Sequence, residues 1–534
     1  MPPPSSGTSI SVQRAGNDSH VDTPIYTRGR ARRSLIDTVT FRVLSQITTA
    51  LALIIQVRGM SERDFGVYSL LYTFIPVIGT LLSLGLEQVM QRYQPEYLRA
   101  GNKAGAAWLM RTIATGRLAT NILIIIVVLL CWNLVAPLFK LTPYRGMFAI
   151  FSFLILLQFQ SRILQLALGS HMMHRYSVGS MAMLSAVKLV AYGVLYVLHE
   201  LTLEAAIFAD ILAYACAYVS LRVIYNKHCL VPEARTAYRP EPQERKRLFR
   251  YGLYNNFNDA GVFLLYSTVD NFFIAAYLDP VSVGIYSFYG RLRQMVLNAL
   301  PAKQFENIIQ PMFFSIPHDQ ADRNVPRFFS FLLNMNLLLQ WPALAFAAAY
   351  HHEIVQLVFH GKFIDKSWLL PVLMAFATVN VMADPVSLVA QYEEKAHILL
   401  LSKLFAAYNI LSMFLLVPAL GIYGAALAGG TAQAMKNLFV WWCVRKRAVW
   451  TNAGAALLSS IGLWGAVAGI CYGLKMLFPQ HAALQVAMGV AVFVIAGLLY
   501  VRSPALSASD RDILRSVTPD RATRIMQRMG FLPA

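Results

Sequence analysis

Apolar residues run along this chain in long blocks with no polar face between them. A membrane span needs about 20 mostly apolar residues. Fourteen stretches qualify: 35–57, 65–86, 118–139, 146–168, 177–198, 203–225, 251–277, 283–304, 327–349, 368–388, 398–418, 422–443, 454–477 and 482–501. Two of them, 35–57 and 283–304, carry internal charge. The pattern predicts an all-α integral membrane protein with about 14 transmembrane helices. The first apolar run leads directly into others, and no short apolar core with a small-residue cleavage site precedes it. It is therefore expected to be a retained span, behind a polar tail over residues 1–33.

Composition agrees. Of 534 residues, 57% are hydrophobic and only 14% charged, against about 45–50% and about 25% in soluble domains. The net charge of +19 would suggest nucleic acid in a soluble protein. In a multi-spanning protein, basic residues collect on cytoplasmic loops instead, so no nucleic-acid partner is expected. With the N-terminus inside, 31 of the 46 Lys and Arg fall on inside segments, seven on outside loops and eight within spans. That bias predicts a multi-pass protein with both termini cytoplasmic and an even number of spans. The outside loops are too short to fold into a catalytic domain. The five cysteines show no metal or disulfide spacing, so neither metal nor cofactor is expected.

The chain repeats itself at a distance of about 218 residues. Met60-Ser-Glu-Arg-Asp-Phe-Gly-Val-Tyr-Ser69 answers Leu278-Asp-Pro-Val-Ser-Val-Gly-Ile-Tyr-Ser287. Gln94-Pro95 answers Gln310-Pro311, Arg111 answers Arg327, and Leu203–Ala206 answers Ile422–Ala425. Two six-helix repeats follow, at 34–226 and 251–446, joined by a basic cytoplasmic linker over 227–250. Two additional helices occupy 447–501, and 502–534 is a cytoplasmic tail. An even number of spans per unit makes both repeats enter from the same side. Their pseudo-two-fold then runs along the membrane normal, with a cavity between the halves.

Several of these stretches resemble a known family. Arg58-Gly-Met-Ser-Glu-Arg-Asp-Phe-Gly-Val-Tyr-Ser-Leu70 is similar to the first interspan turn of the polysaccharide flippases (the O-antigen and exopolysaccharide flippases) of the multidrug/oligosaccharidyl-lipid/polysaccharide exporter superfamily. So are Ser83-Leu-Gly-Leu-Glu-Gln-Val-Met-Gln-Arg-Tyr93, Ser267-Thr-Val-Asp-Asn-Phe-Phe-Ile-Ala275 followed by Val283-Gly-Ile-Tyr-Ser287, and Leu420-Gly-Ile-Tyr-Gly-Ala-Ala-Leu-Ala428. The resemblance covers roughly residues 35–445. It implies translocation of undecaprenyl-pyrophosphate-linked oligosaccharide from the cytoplasmic to the outer leaflet of a bacterial inner membrane. It implies no enzyme activity. Expected partners are the lipid-linked substrate, membrane lipids, a polysaccharide polymerase and a chain-length regulator. Two other functions stay open: lipid II flipping, which fourteen spans also serve, and drug/cation antiport within the same superfamily.

Charges inside a bilayer are costly and mark functional candidates. Eight basic residues fall in spans: Arg42, Arg162, Lys188, Arg222, Arg291, Arg293, Lys403 and Lys436. Arg162, Arg222 and Lys403 lie near an inner end, where snorkelling explains them. Arg42, Gln46, Thr49 and Gln56 share one helical face, within about 40° at 100° per residue. Leu44, Ile47, Leu51 and Ile54 form the opposite face. Asp259 and Asp270 lie eleven residues apart on span 7, with Asn255 and Tyr266 on the same side. Guanidinium forks suit pyrophosphate, so Arg42, Gln46, Lys188, Arg291 and Arg293 are the cavity candidates. Arg291 and Arg293 sit about 200° apart on a helix, so only one of them is expected to face the cavity. No ATP-binding loop is present. Asp259 and Asp270 are candidates for ion coupling, or equally for counter-ions of cavity arginines. Asp510-Arg-Asp512 has no nucleotide-binding fold around it and reads as a solvated charge cluster.

Overall fold

The computed structural model describes residues 28–81, 83–230, 232, 238–263, 267–299, 313–314, 316–451, 453–477, 481–502 and 510–513. Side chains are not described for 28–39, 81, 257–263, 267, 318, 396, 455 and 501–502. Most of both expected tails therefore lies outside the described residues. The described chain is helical, with no strand. In order it forms α1 (Arg28–Gly59), α2 (Glu62–Leu81), α3 (Leu86–Arg99), α4 (Lys103–Leu130), α5 (Trp132–Leu138), α6 (Arg145–Ser170), α7 (His174–Val197) and α8 (Leu203–His228). There follow α9 (Pro242–Phe263), α10 (Ser267–Tyr277), α11 (Pro280–Asn298), α12 (Ala321–Phe359), α13 (Leu369–Val379), α14 (Ala383–Tyr392), α15 (Ala396–Leu401), α16 (Phe405–Leu420) and α17 (Ile422–Val444). The last two helices are α18 (Ala453–Leu477) and α19 (Ala482–Arg502).

Among the described residues, ten helical stretches are long and apolar enough to cross a membrane. The remaining expected spans fall on α2, α9–α10, α11 and α17. These four carry more polar residues: tyrosines and charges in α2, two arginines in α11, and glycines, Thr431, Lys436 and Asn437 in α17. They also meet at the centre of the molecule, where α2 packs on α10 and α11, and α17 on α10. A helix surrounded by protein needs no continuous lipid-facing apolar surface, so the hydropathy signal drops where the interior is polar. Peripheral helices behave oppositely. Leu44, Ile47 and Leu51 of α1 are exposed, as expected of that helix's apolar face.

Within the first group of helices, α1 packs on α7, and α6 and α7 pack on α8. One apolar core cluster extends from Ala52 in α1 to Ala428 in α17 and so joins both groups. Gly66 and Gly284, equated by the 218-residue offset, touch each other. A Cβ on Gly66 would lie 2.1 Å from the Pro280 carbonyl oxygen, and one on Gly284 would lie 2.9 Å from the Gly66 Cα. Glycine at both positions lets α2 and α11 cross backbone to backbone.

The two ends of the bundle close differently. At one end, α1 and α12 cap each other's carboxyl ends, where unsatisfied carbonyls favour cations. Arg58 donates to the carbonyls of Val358 (2.7 Å) and Leu357 (3.0 Å). Lys362 donates to that of Val57 (2.8 Å) and to that of Met60. Lys140 bonds the Leu278 carbonyl, and Phe65 packs on Phe363. At the opposite, basic end, α3 meets α9. Gly85, at φ +61°, abuts the Gly252 backbone so closely that a Cβ would fall 2.0 Å from its carbonyl oxygen. Ser83 bonds Asn256, and Glu96 pairs with Arg247 at 2.8 Å.

α18 and α19 pack against α12. Trp464 stacks on Phe493, and Lys475 pairs with the buried Glu353 at 2.6 Å. The chain then returns to the basic end of α12. Here the expectation for Asp510-Arg-Asp512 fails: Asp510 is 2% exposed and accepts from Asn334 at 2.9 Å, while Asp512 pairs with Arg327 at 3.3 Å. A docking partner elsewhere in the chain, which local sequence does not reveal, removes Asp510 from solvent, whereas Asp512 stays exposed as a solvated charge would.

Candidate functional site

Two cavities occupy the middle of the bundle, and Pro76 of α2 lines both. The larger, about 660 Å³, lies within α1–α8. Its wall is built of short hydroxyls and amides, including Ser45, Thr49, Thr80, Gln158, Ser161 and Gln165. Three charges face it: Glu87, Arg117 and Arg162. Arg117 is only 1% exposed. It donates to the Gly79 carbonyl, lies 4.5 Å over the Phe159 ring and sits 3.8 Å from Glu87. Its Nε and Nη1 have no hydrogen-bond partner among the described residues, nor do Gln158 Oε1 and Ser161 Oγ. Buried polar groups are ordinarily satisfied. A wall that keeps donors and acceptors unused is therefore suited to a polar ligand.

The smaller cavity, about 300 Å³, lies between α2, α10, α11 and α13. Arg291 and Arg293 both line it, which corrects the expectation that only one could. α11 is continuous through this point, so the backbone does not bring them together. The long side chains do, from either flank of Gly290. Arg291 leans towards α2, over Phe65 (5.4 Å) and Tyr68 (5.6 Å), and reaches Gln56 of α1 at 3.4 Å. Arg293 turns the other way, close enough for its charge to act on Asp270.

The other candidates are distributed as follows. Arg42 is half-buried and lines neither cavity. Gln46 reaches across to the Asn298 carbonyl at 3.4 Å, while its neighbours Ser45 and Thr49 line the larger cavity. Lys188 also lines neither cavity: it pairs with the fully buried Asp210 at 2.9 Å. Asp210 additionally accepts from Tyr68 (2.6 Å), Tyr192 (2.7 Å) and Tyr72. This knot forms part of the partition between the cavities, since Tyr72 lines one and Tyr214, beside it, the other.

Asp270 stands in the first turn of α10, where the helix's positive end favours an anion. It is 2% exposed, accepts from Tyr286 at 2.7 Å and is hydrogen-bonded by Asn409 of α16. Its Oδ1 has no hydrogen-bond partner among the described residues. The side chain of Asp259 lies outside the described residues. Residues 264–266, between α9 and α10, also lie outside the described residues, and with them the stripe expected to join Asp259 to Asp270. Asn255, assigned to that stripe, bonds the Tyr251 carbonyl one turn back at 2.8 Å.

Sequence reasoning missed Arg117 as a site residue. It placed the third span at 118, just past that charge, although α4 begins at Lys103 and carries Arg117 well inside it. It also dismissed Arg162, at a helix end, as a snorkelling residue. Asp210 lies inside the expected span 203–225. Its link to Lys188 joins α7 to α8 and has no local sequence pattern.

The fold and these cavities are those of a multi-pass membrane protein: a helical bundle with a polar, largely basic interior, closed at one end by reciprocal caps. Residues 55–367, over half of the chain, match the family described as "polysaccharide biosynthesis protein", and the chain belongs to that family. Most of the flippase-like stretches fall within this range. No curated protein matches the chain. Among solved structures it is similar to the lipid II flippase MurJ in an inward closed conformation (TM-score 0.65, 11% identity, 88% of this chain and 99% of that one). It is also similar to a multidrug resistance MATE family transporter of the MOP superfamily, inward-facing (TM-score 0.60, 15% identity, 76% and 96% covered). An outward-facing transporter of that family gives a TM-score of 0.50 at 14% identity, with 79% and 98% covered. At such identities the likeness is one of fold.

Proposed function

We propose that this protein translocates a polyprenyl-pyrophosphate-linked oligosaccharide, the repeat unit of a polysaccharide, from the cytoplasmic to the outer leaflet of a bacterial inner membrane by alternating access. The observation that carries this reading is the make-up of the paired cavities. Their walls hold four guanidiniums, Arg117, Arg162, Arg291 and Arg293, against one carboxylate, Glu87. In low dielectric such forks favour a pyrophosphate, and the hydroxyls and amides of the larger cavity suit sugar. A cationic drug would meet the wrong sign, which disfavours antiport of drugs. On this reading the chain has fourteen spans in two parallel six-helix repeats plus α18–α19, and the basic end is cytoplasmic. Contact between the offset-matched Gly66 and Gly284 supports the pseudo-symmetry. Asp270, with one oxygen lacking a hydrogen-bond partner, is the coupling candidate for a proton or Na⁺. A polymerase and a chain-length regulator are the expected partners.

Proteoliposomes carrying a lipid-pyrophosphate oligosaccharide with a fluorescent sugar test this, read by an impermeant quencher. The protein should accelerate exchange between leaflets, and Arg117→Gln and Arg293→Gln should each slow it about tenfold or more, as expected when a charged hydrogen bond is lost. Exchange no faster than in protein-free vesicles, together with uptake of a cationic dye, would overturn the reading. Preference for a lipid-linked muropeptide over all polysaccharide units would shift it to lipid II.

A further inference from the structure

A third cavity, about 420 Å³, opens at the basic end, away from the central pair. Its wall combines Arg92, Tyr93, Pro95, Glu96 and Arg99 of α3 with Arg247 of α9. Arg92, Glu96 and Arg99 recur at the i, i+4, i+7 spacing of one helical face, while Val89, Met90 and Tyr93 bury the other. Both Arg247 (4.8 Å) and Arg92 (5.9 Å) lie over the Tyr93 ring, which holds the two guanidiniums in place by cation–π attraction. Glu96 lies 2.8 Å from Arg247 and 3.8 Å from Arg92. Arg99 has no hydrogen bond or ion pair among the described residues. The nearby Glu244 is not part of this wall; it is turned to Tyr97 and Tyr238 (2.9 Å), which donate to it. Three cations and one anion thus converge on a single concavity. A solvated charge face would spread its charges and pair them.

We propose that this pocket binds a phosphate-bearing anion, with Arg99 and Arg247 as its principal forks and Glu96 as the internal competitor that holds Arg247 in the empty site. The ligand would bridge α3 and α9, the elements that join the two groups of helices at this end. A membrane phospholipid headgroup and a soluble phosphate ester present the same chemistry. The helix favours the headgroup: Phe249 and Tyr254, just beyond Arg247, are exposed large rings, of the kind that settle at the headgroup level.

The experiment uses the full chain in phosphatidylcholine nanodiscs, with labelled phosphatidylglycerol or inorganic pyrophosphate as probe. Wild-type protein should bind a probe saturably. Arg99→Ala with Arg247→Ala should weaken binding about tenfold, the lysine pair should recover part of it, and Arg445→Ala, at an exposed arginine of the same end, should leave it unchanged. Glu96→Gln should tighten binding. Saturable binding of phosphatidylglycerol that pyrophosphate fails to displace identifies the lipid headgroup; displacement identifies a soluble phosphate ester. Undiminished binding in a folded double-alanine variant overturns the site. So does weaker binding in Glu96→Gln, which would make the cluster a structural ion-pair set. Neither outcome depends on transport.

Discussion

Asp210 and Asp270 are both buried, each accepts from a tyrosine at matching places in the repeat, Tyr68 and Tyr286, and each stands beside the central cavities. They arrive by different routes. In the register that equates Leu203–Ala206 with Ile422–Ala425, the position matching Asp210 is Gly429. The Asp270 carboxylate lies against that glycine, where a Cβ would fall 3.1 Å from its Oδ2. In the proposed repeat, the acid of the second half therefore stands on the first helix of the unit rather than the last, beside the matching tyrosine. Neutralisation did not move with it. Lys188 pairs directly with Asp210, whereas the corresponding stretch of α16 holds Ala406 and Ala407. Asp270 receives Tyr286, Asn409 and the more distant charge of Arg293 instead. A buried carboxylate with its own lysine is fixed in charge; one whose direct donors are neutral, with a guanidinium only at a distance, is freer to respond to an ion. On the proposed reading of two repeats, the two places are alike in layout, and the lysine makes one a lock while its absence leaves the other to act as the sensor.

The largest expected effect follows from removing the lock. Lys188→Ala leaves Asp210 buried and without its cation, at a cost of about 3–5 kcal/mol. Loss of folded protein, followed by thermal unfolding in detergent, should show it. Lys188→Ala with Asp210→Asn should regain most of that stability. If the double variant is no better than the single, the pair is not what holds α7 to α8.

Asp270→Asn should do the reverse. Tyr286 can still donate to the amide oxygen, so the melting temperature should change little. Transport should fall about tenfold or more, and what remains should lose its dependence on pH or Na⁺, since an amide cannot change charge. Normal transport with intact ion dependence would remove Asp270 from coupling and make the two acids alike.

How far this contrast could be seen in advance depends on the range of the interactions. Helices whose surfaces face lipid announce themselves, because the solvent there is uniformly apolar: α7, α8 and α19 are plain in the sequence. The polar central helices gave weaker signals for the reason that makes them functional. Individual acids and bases were visible as intramembrane charges, but pairing was not. Lys188 with Asp210 and Arg117 with Glu87 are contacts between helices, and hydrophobic periodicity carries no information about partners. Angular reasoning on Arg291 and Arg293 failed because it tracked Cβ directions, while a guanidinium sits at the end of a long flexible stem. Asp510 was misread for a similar reason, its partner Asn334 being far away in sequence.

The smallest effects separate the two tyrosines. Tyr68→Phe removes one of three phenols from Asp210 and leaves Tyr72, Tyr192 and Lys188 in place. The lost hydrogen bond is worth about 1 kcal/mol net, so melting should shift modestly and transport should stay within about twofold. Tyr286→Phe takes from Asp270 one of its few donors, again about 1 kcal/mol, but here the loss falls on the charged form of an acid with no lysine. Removing a donor to a carboxylate disfavours its ionised state and raises its proton affinity. The expected signature is therefore a shift of the pH or Na⁺ dependence of transport towards higher pH or higher Na⁺, with little change in melting beyond that of Tyr68→Phe. The tyrosine also lines the smaller cavity, so a change in substrate affinity alone would assign it to the wall rather than to the acid. Equal effects of the two substitutions on both melting and ion dependence would mean that the lysine does not distinguish the sites, and the lock-and-sensor contrast would fall.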